Sequence, residues 1–134
     1  MEGSIKELAM YRLERANEDL HTSEVLFERK MLKASINRSY YAIFHALRSI
    51  TIIKGFDSSK HSGIIAFFNL HFVKEDIFDK EASRIIKSAS SLREKSDYVD
   101  FYIASQEEAF EQLENARKLI KQIELYLSNE LKNI

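Results

Sequence analysis

Apolar residues recur every three or four positions along most of the chain, which is the spacing of one face of an α-helix. The first stripe comprises Ile5, Ala9, Leu13, Ala16, Leu20, Ser23 and Phe27, and the last Ala109, Leu113, Ala116, Ile120, Ile123, Leu127 and Leu131. Arg12 is assigned to the charged, solvent-facing side of the first helix. Ser105 followed by Glu108 predicts a capping box at the start of the last helix.

Three shorter helices are predicted between these two. The second, about 32–54, is apolar around most of its circumference, which favours a central position against several neighbours. Gly55 is expected to close it in the left-handed conformation. Ser58 or Ser59 is expected to cap the third helix and Asp79 the fourth.

The segment 94–104 shows no helical stripe and is interpreted as an ordered connector. Five helices with short connections predict an all-α, mostly antiparallel up-and-down bundle. A length of 134 residues suits one domain, over residues 1–134.

Composition supports this fold class. The chain has three glycines and no proline, against roughly nine and seven in an average chain of this length, which disfavours turn-rich β architectures. Without cysteine there is no disulfide or thiolate metal site, and no pattern for a metal or cofactor is present. The longest apolar run, Ile64 to Phe68, is too short to span a bilayer, and the start lacks the apolar core of a secretory signal. We therefore predict a soluble, cytoplasmic protein.

A formal charge of −1 means that any interaction with nucleic acid depends on a local patch. The second helix offers one, because two arginines, a phenol and an imidazole share one of its stripes. These residues are Arg38, Tyr41, His45 and Arg48. A buried arginine needs a partner. Either the arginines pair with acids such as Asp97 or Asp100, or the stripe faces a phosphate.

Two other segments are candidates. Ser59, Lys60 and His61 precede or open the third helix and could bind an anion, although serines there are more often caps. Later, Arg93, Asp97, Tyr98 and Asp100 cluster at a predicted helix end, where they either form part of a functional groove or simply solvate the end of the bundle.

Three blocks of sequence, in order, resemble the HEPN domain family, and specifically its small stand-alone prokaryotic members. The blocks are NRSYYAIFHALRSITIIKGF, SSKHSGIIAFFNLHFVK and LREKSDYVDFY. The resemblance implies an antiparallel helical bundle that forms a homodimer and associates with nucleotide or RNA. It also implies a small nucleotidyltransferase partner in a two-component, toxin–antitoxin-like system, and by analogy Tyr98 is a candidate target of nucleotidyl transfer.

Many members of that family are metal-independent ribonucleases with an arginine and a histidine separated by four to six residues. Arg93 matches the late position of this motif, but Asp97 and Tyr98 follow it and no histidine occurs after His71. Arg38 and His45 meet the spacing on the second helix instead. The resemblance therefore makes Arg38, His45 and Arg93 the candidate catalytic residues.

Three functions remain open at this point. The first is a protein of a two-component nucleotidyltransferase system with a nucleotide- or RNA-facing groove, to which Tyr41, Arg48, Asp97 and Tyr98 also contribute. The second is an active metal-independent ribonuclease in which His45 replaces the missing late histidine. The third is a non-catalytic binding or assembly module whose polar stripe orders the core.

Overall fold

The computed structural model describes residues 2–133, with side chains from residue 4 onward. It contains five α-helices and, within those residues, no β-strand, which confirms the predicted all-α fold. The helices are α1 (Glu2–Glu28), α2 (Leu32–Thr51), α3 (His61–Phe68), α4 (Lys80–Tyr98) and α5 (Gln106–Leu131). A 3-10 turn, Ile52–Lys54, extends α2, and a π-helical turn, Asn69–Val73, extends α3. No described helix is long and apolar enough to cross a membrane.

Helix α2 is the central element, as its apolar circumference predicts. It packs against each of the other four helices, and its buried residues include Tyr40, Ile43, Leu47 and Ile50. Its contact with α1 is also polar, because the buried Ser23 hydroxyl lies 2.7 Å from the Ser39 hydroxyl and donates to the Ser35 carbonyl at 2.8 Å. Small side chains let the two helices approach closely and fix the face that α2 presents.

The helix ends show which local predictions hold. Gly55 is left-handed, with φ +82°, as expected. The Asp79 carboxylate accepts from the Glu81 N–H at the start of α4, and Ser105 with Glu108 forms the predicted capping box.

The prediction for α3 is wrong, because neither Ser58 nor Ser59 is its cap. The residue before the helix is Lys60, and no side-chain hydrogen bond caps the helix. The Ser58 hydroxyl instead accepts from the Lys60 N–H at 3.1 Å and packs against Gly63, where a Cβ would lie 3.3 Å from the hydroxyl oxygen. The serine stabilises the turn that leads into the helix.

The predicted connector 94–104 is also shorter than expected. Helix α4 continues to Tyr98, and only residues 99–105 connect it to α5. The last turns of α4 are largely exposed, so they need no apolar stripe; an i,i+4 pair between Arg93 and Asp97 lies on this surface. In the connector, Phe101 adopts φ +62° and is 99% exposed.

Candidate functional site

Side chains from α2, α3 and α4 surround the half-buried ring of Tyr41. The guanidinium carbons of Arg38 and Arg93 lie 4.8 and 5.8 Å from its ring centre, within cation–π distance. The ring centres of His45 and His61 lie 6.5 and 5.7 Å from it. We refer to these five side chains as the Tyr41 groove.

His61 is held in this groove by two residues of α2. Its Nδ1 is hydrogen-bonded to the Tyr40 hydroxyl at 2.7 Å, and its ring stacks on Phe44 with 3.9 Å between ring centres. The Arg93 guanidinium lies 4.7 Å from the centre of the same Tyr40 ring. The fold thus brings the first residue of α3 beside an arginine of α4, 32 positions later in the sequence.

Both imidazoles favour their neutral form. Burial lowers the pKa of His61, and the positive charges of Arg93 and Arg48 lower it further. Burial is also the main cause of the lowered pKa of His45; Asp19 opposes this shift, and Arg15, Arg48 and Arg38 add to it. A neutral imidazole can accept a proton, which a general base requires.

On its other side the groove is bounded by Asp19 of α1. One Asp19 oxygen lies 3.3 Å from Arg38 Nη1, and the other lies 3.5 Å from His45 Nε2. The alternative in which Arg38 or Arg48 pairs with Asp97 or Asp100 is therefore wrong in its choice of acids: Arg38 faces Asp19, Arg48 faces Asp57, and Asp97 accepts from the Asn37 amide at 3.0 Å.

Arg93 is the least completely paired arginine of the groove. Its Nη1 lies 3.7 Å from an Asp97 oxygen, beyond hydrogen-bond distance. Its Nε is buried and has no hydrogen-bond partner within the described residues. Since Nε is buried, the donors that an anionic ligand could use are the Nη groups of Arg93, which lines a cavity with His61.

Arg48 belongs to a separate group, which we refer to as the Asp57 cluster. Asp57 accepts two hydrogen bonds from Arg12, at 2.8 and 3.1 Å, and two from Arg48, from Nη2 at 2.9 Å and from Nε at 3.3 Å. Burial opposes ionisation of Asp57, but the hydrogen bonds from the two arginines lower its pKa to about 2. The assignment of Arg12 to a solvent-facing surface is wrong, since only 9% of it is exposed.

The remaining predicted residues differ in their placement. Lys60 lines a cavity of about 710 Å³ together with Tyr40, His61 and Arg93. Ser59 is exposed and does not line that cavity. Tyr98 is 73% exposed at the end of α4 and, with Arg93, lines a neighbouring surface pocket.

Sequence reasoning missed Asp19, the acid that bounds the groove. Its signal was the spacing of Arg12, Ala16, Asp19 and Ser23, which share one face of α1. Ala16 and Ser23 are fully buried against the core. Asp19, which lies between them in the sequence, and Arg12, which precedes them, therefore also face α2.

Comparison with known proteins agrees with this arrangement of helices. Residues 9–126 match the HEPN domain family. The chain belongs to the HEPN family. It is 37% identical over 94 residues to a Methanocaldococcus jannaschii protein named "Putative toxin MJ0605", covering 70% of each chain. It is 31% identical to a "UPF0332 protein" of Thermotoga maritima, covering 85% of this chain and 86% of the relative.

The HEPN fold is also seen in a crystal structure similar to this chain. The protein TT1696 from Thermus thermophilus superposes with a TM-score of 0.72, at 21% sequence identity, and the match covers 87% of this chain and 95% of that one. At that level of identity the likeness shows the fold alone.

Proposed function

We propose that this HEPN protein binds the phosphate groups of a nucleotide or RNA in the Tyr41 groove and acts in a two-component, toxin–antitoxin-like system. The observation that carries this proposal is the loosely paired guanidinium of Arg93 beside a half-buried aromatic ring. Relatives named as toxins support the wider setting.

The electrostatics of the groove favour an anion. Arg38 and Arg93 each have one carboxylate nearby, at 3.3 and 3.7 Å, whereas the Asp57 cluster has contacts of 2.8 and 2.9 Å. Guanidinium groups bind phosphate through two parallel N–H donors. The exposed part of the Tyr41 ring offers a surface on which an unpaired base can stack.

The test is binding of a short fluorescent single-stranded RNA, measured by anisotropy at fixed ionic strength. We expect Arg93→Gln to weaken binding at least tenfold, or about 1.4 kcal/mol. Arg84→Gln is the matched control, because Arg84 is exposed on the same helix and the charge change is identical. Equal affinities of the wild type and both variants would contradict the groove.

A second candidate, metal-independent RNA cleavage, is favoured by the proximity of His61 to Arg93. In that reaction neutral His61 accepts the proton of the attacking 2′-hydroxyl, the 2′-oxygen bonds to phosphorus, and the 5′-oxygen leaves with a proton from water. The products are a 2′,3′-cyclic phosphate and a 5′-hydroxyl end, and Arg93 stabilises the charge on the phosphate. His45 suits this role less well because its Nε2 faces the Asp19 carboxylate at 3.5 Å, whose negative charge repels the RNA phosphate.

Cleavage should persist in EDTA and fall by about 100-fold in His61→Gln. His71→Gln is the matched control, since the His71 ring lies against Phe67 and outside the groove. If the purified wild-type protein leaves RNA intact at micromolar concentration, the chain alone is not a ribonuclease.

We also propose two protein partners, a small nucleotidyltransferase and a second copy of this chain. A small nucleotidyltransferase would find Tyr98 accessible, and mass spectrometry after co-expression should show a nucleotidyl group on wild type but not on Tyr98→Phe.

A homodimer would cover exposed apolar side chains such as Val99, Phe101 and Ile103. Phe101→Asp should then lower the mass measured by light scattering; an unchanged mass would place the dimer interface elsewhere.

A further inference from the structure

Helices α3 and α4 both pack on α2 but make little contact with each other. A cleft of about 460 Å³ lies between them, and we refer to it as the α3–α4 cleft. Four residues line both this cleft and the cavity that contains Arg93 and His61. They are Ile65, Asn69, Ser90 and Glu94. The cleft therefore opens directly into the proposed phosphate site, and its volume is in the range of small-molecule sites.

The lining of the cleft combines apolar and polar side chains and includes the positively charged Lys87. Ile65 and the buried Ile86 provide apolar surface, while Ser83 and Ser90 add hydroxyls. A flat heteroaromatic group matches this combination, because its faces are apolar and its edge carries hydrogen-bonding groups. Along α4, Ser90 lies about 4.5 Å from Arg93 in the axial direction, so a group joined to a phosphate at Arg93 would extend into the cleft.

Asn69 is fixed in an orientation suited to a ligand. It begins the π-helical turn after α3, and such turns are often found at functional sites. The Ser83 hydroxyl donates to its Oδ1 at 2.5 Å. This bond occupies the carbonyl oxygen of the amide and directs the NH₂ group toward other acceptors, such as a carbonyl of a bound base.

Glu94 decides what kind of group the cleft favours. Its carboxylate follows Arg93 in the sequence and lines both cavities, and it can only accept hydrogen bonds when ionised. Its charge repels a phosphate placed beside it, whereas in the cavity that it shares with Arg93 and Lys60 the two cations offset this repulsion. A base with two adjacent N–H donors would instead match both carboxylate oxygens.

We propose that the α3–α4 cleft binds the guanine base of a nucleotide whose phosphate lies at Arg93 and His61. Glu94 accepts from the N1–H and the N2 amino group, and Asn69 donates to O6. Adenine, cytosine and uracil do not present two adjacent donors beside a carbonyl. The placement of the phosphate rests on the proposed function, whereas the placement of the base rests on the cleft.

The test is calorimetric titration of the purified protein with 5′-GMP, 3′-GMP, IMP, AMP, CMP, UMP and inorganic phosphate at one ionic strength. We expect one of the two GMP isomers to bind at least tenfold more tightly than AMP, and more tightly than IMP, which lacks the N2 amino group. Glu94→Gln should remove the preference for GMP over AMP. Glu111→Gln, an exposed carboxylate on α5, is the matched control and should behave as the wild type.

The outcomes separate the two proposals. Equal affinity for all nucleotides, lost in Arg93→Gln, would overturn the guanine site and support the phosphate groove. A GMP preference that needs Glu94 but survives Arg93→Gln would support the cleft and overturn the phosphate placement. RNA binding without measurable binding of either GMP isomer would overturn the cleft, and binding of neither RNA nor nucleotide would overturn both.

Discussion

The Asp57 cluster and the Tyr41 groove contain the same types of side chain but pair them differently. Each contains one arginine of α2, one arginine of another helix and an aspartate that joins α2 to α1. In the Asp57 cluster one carboxylate receives four hydrogen bonds of 2.8 to 3.3 Å from two arginines. In the Tyr41 groove, Asp19 and Asp97 lie 3.3 to 3.7 Å from the guanidiniums that they face, and Arg93 Nε has no partner within the described residues.

This difference in pairing shows that an arginine near an aspartate is not by itself a binding site. A guanidinium whose donors are used by a carboxylate within the fold contributes to stability and has little left for a ligand. A guanidinium that is only loosely paired can exchange a weak contact for a stronger one with phosphate. The two regions should therefore respond oppositely to substitution.

The largest effect is expected for Asp57→Ala. Removing this carboxylate leaves Arg12, whose side chain is 10% exposed, without its partner; because Asp57 is itself 38% exposed, we expect a cost of about 2 kcal/mol, below that of breaking a fully buried pair. The free energy of unfolding from urea titration should fall by that amount, while the folded fraction binds RNA as the wild type does. A loss below about 1 kcal/mol would mean that the cluster is no more than a surface ion pair.

Arg38→Ala should show the opposite behaviour. Its side chain is 35% exposed and its contact with Asp19 is long, so the free energy of unfolding should change by less than about 1 kcal/mol. RNA affinity should fall about tenfold, and its dependence on salt should weaken because one phosphate contact is lost. In Arg48→Ala, the matched arginine of the Asp57 cluster, affinity should stay within a factor of two while stability falls. Lower stability in Arg38→Ala together with lower RNA affinity in Arg48→Ala would contradict this assignment of the two regions.

The smallest effect is expected from the pH dependence of stability. His61 has a lowered pKa in the folded state, so the unfolded chain takes up the proton first as pH falls below about 6.5. Stability contributed by neutral His61 is complete above that pH and decreases toward the folded pKa. The Tm should therefore decline between pH 7 and 5, and His61→Gln should flatten this slope relative to His71→Gln. Identical slopes would show that His61 is not desolvated as the structure indicates.

Much of the fold could be read from local patterns. The periodicity of α1 and α5, the left-handed Gly55 and the caps at Asp79 and Ser105 depend on neighbouring residues, so sequence spacing identifies them. The end of α4 could not be read in this way. Residues 94–98 lie on an exposed helical surface, where no apolar stripe distinguishes a helix from a connector.

The site was only partly predictable for a related reason. Arg38, Tyr41 and His45 share a face of one helix, and their proximity follows from helical geometry. The neighbours Asp19, His61 and Arg93 come from three other helices, and no local spacing relates them to α2. Arg93 illustrates this. The imidazole beside it in the structure is that of His61, whereas the sequence motif predicts a histidine at a position after Arg93.

Residue order along single helices is enough to establish an all-α chain, its membership of the HEPN family and the polar face of α2. It does not establish which arginines are already paired and which are still available. That depends on how α1, α3 and α4 pack around α2, since a side chain's free donors are set by neighbours distant in sequence. The same packing leaves the α3–α4 cleft beside Arg93.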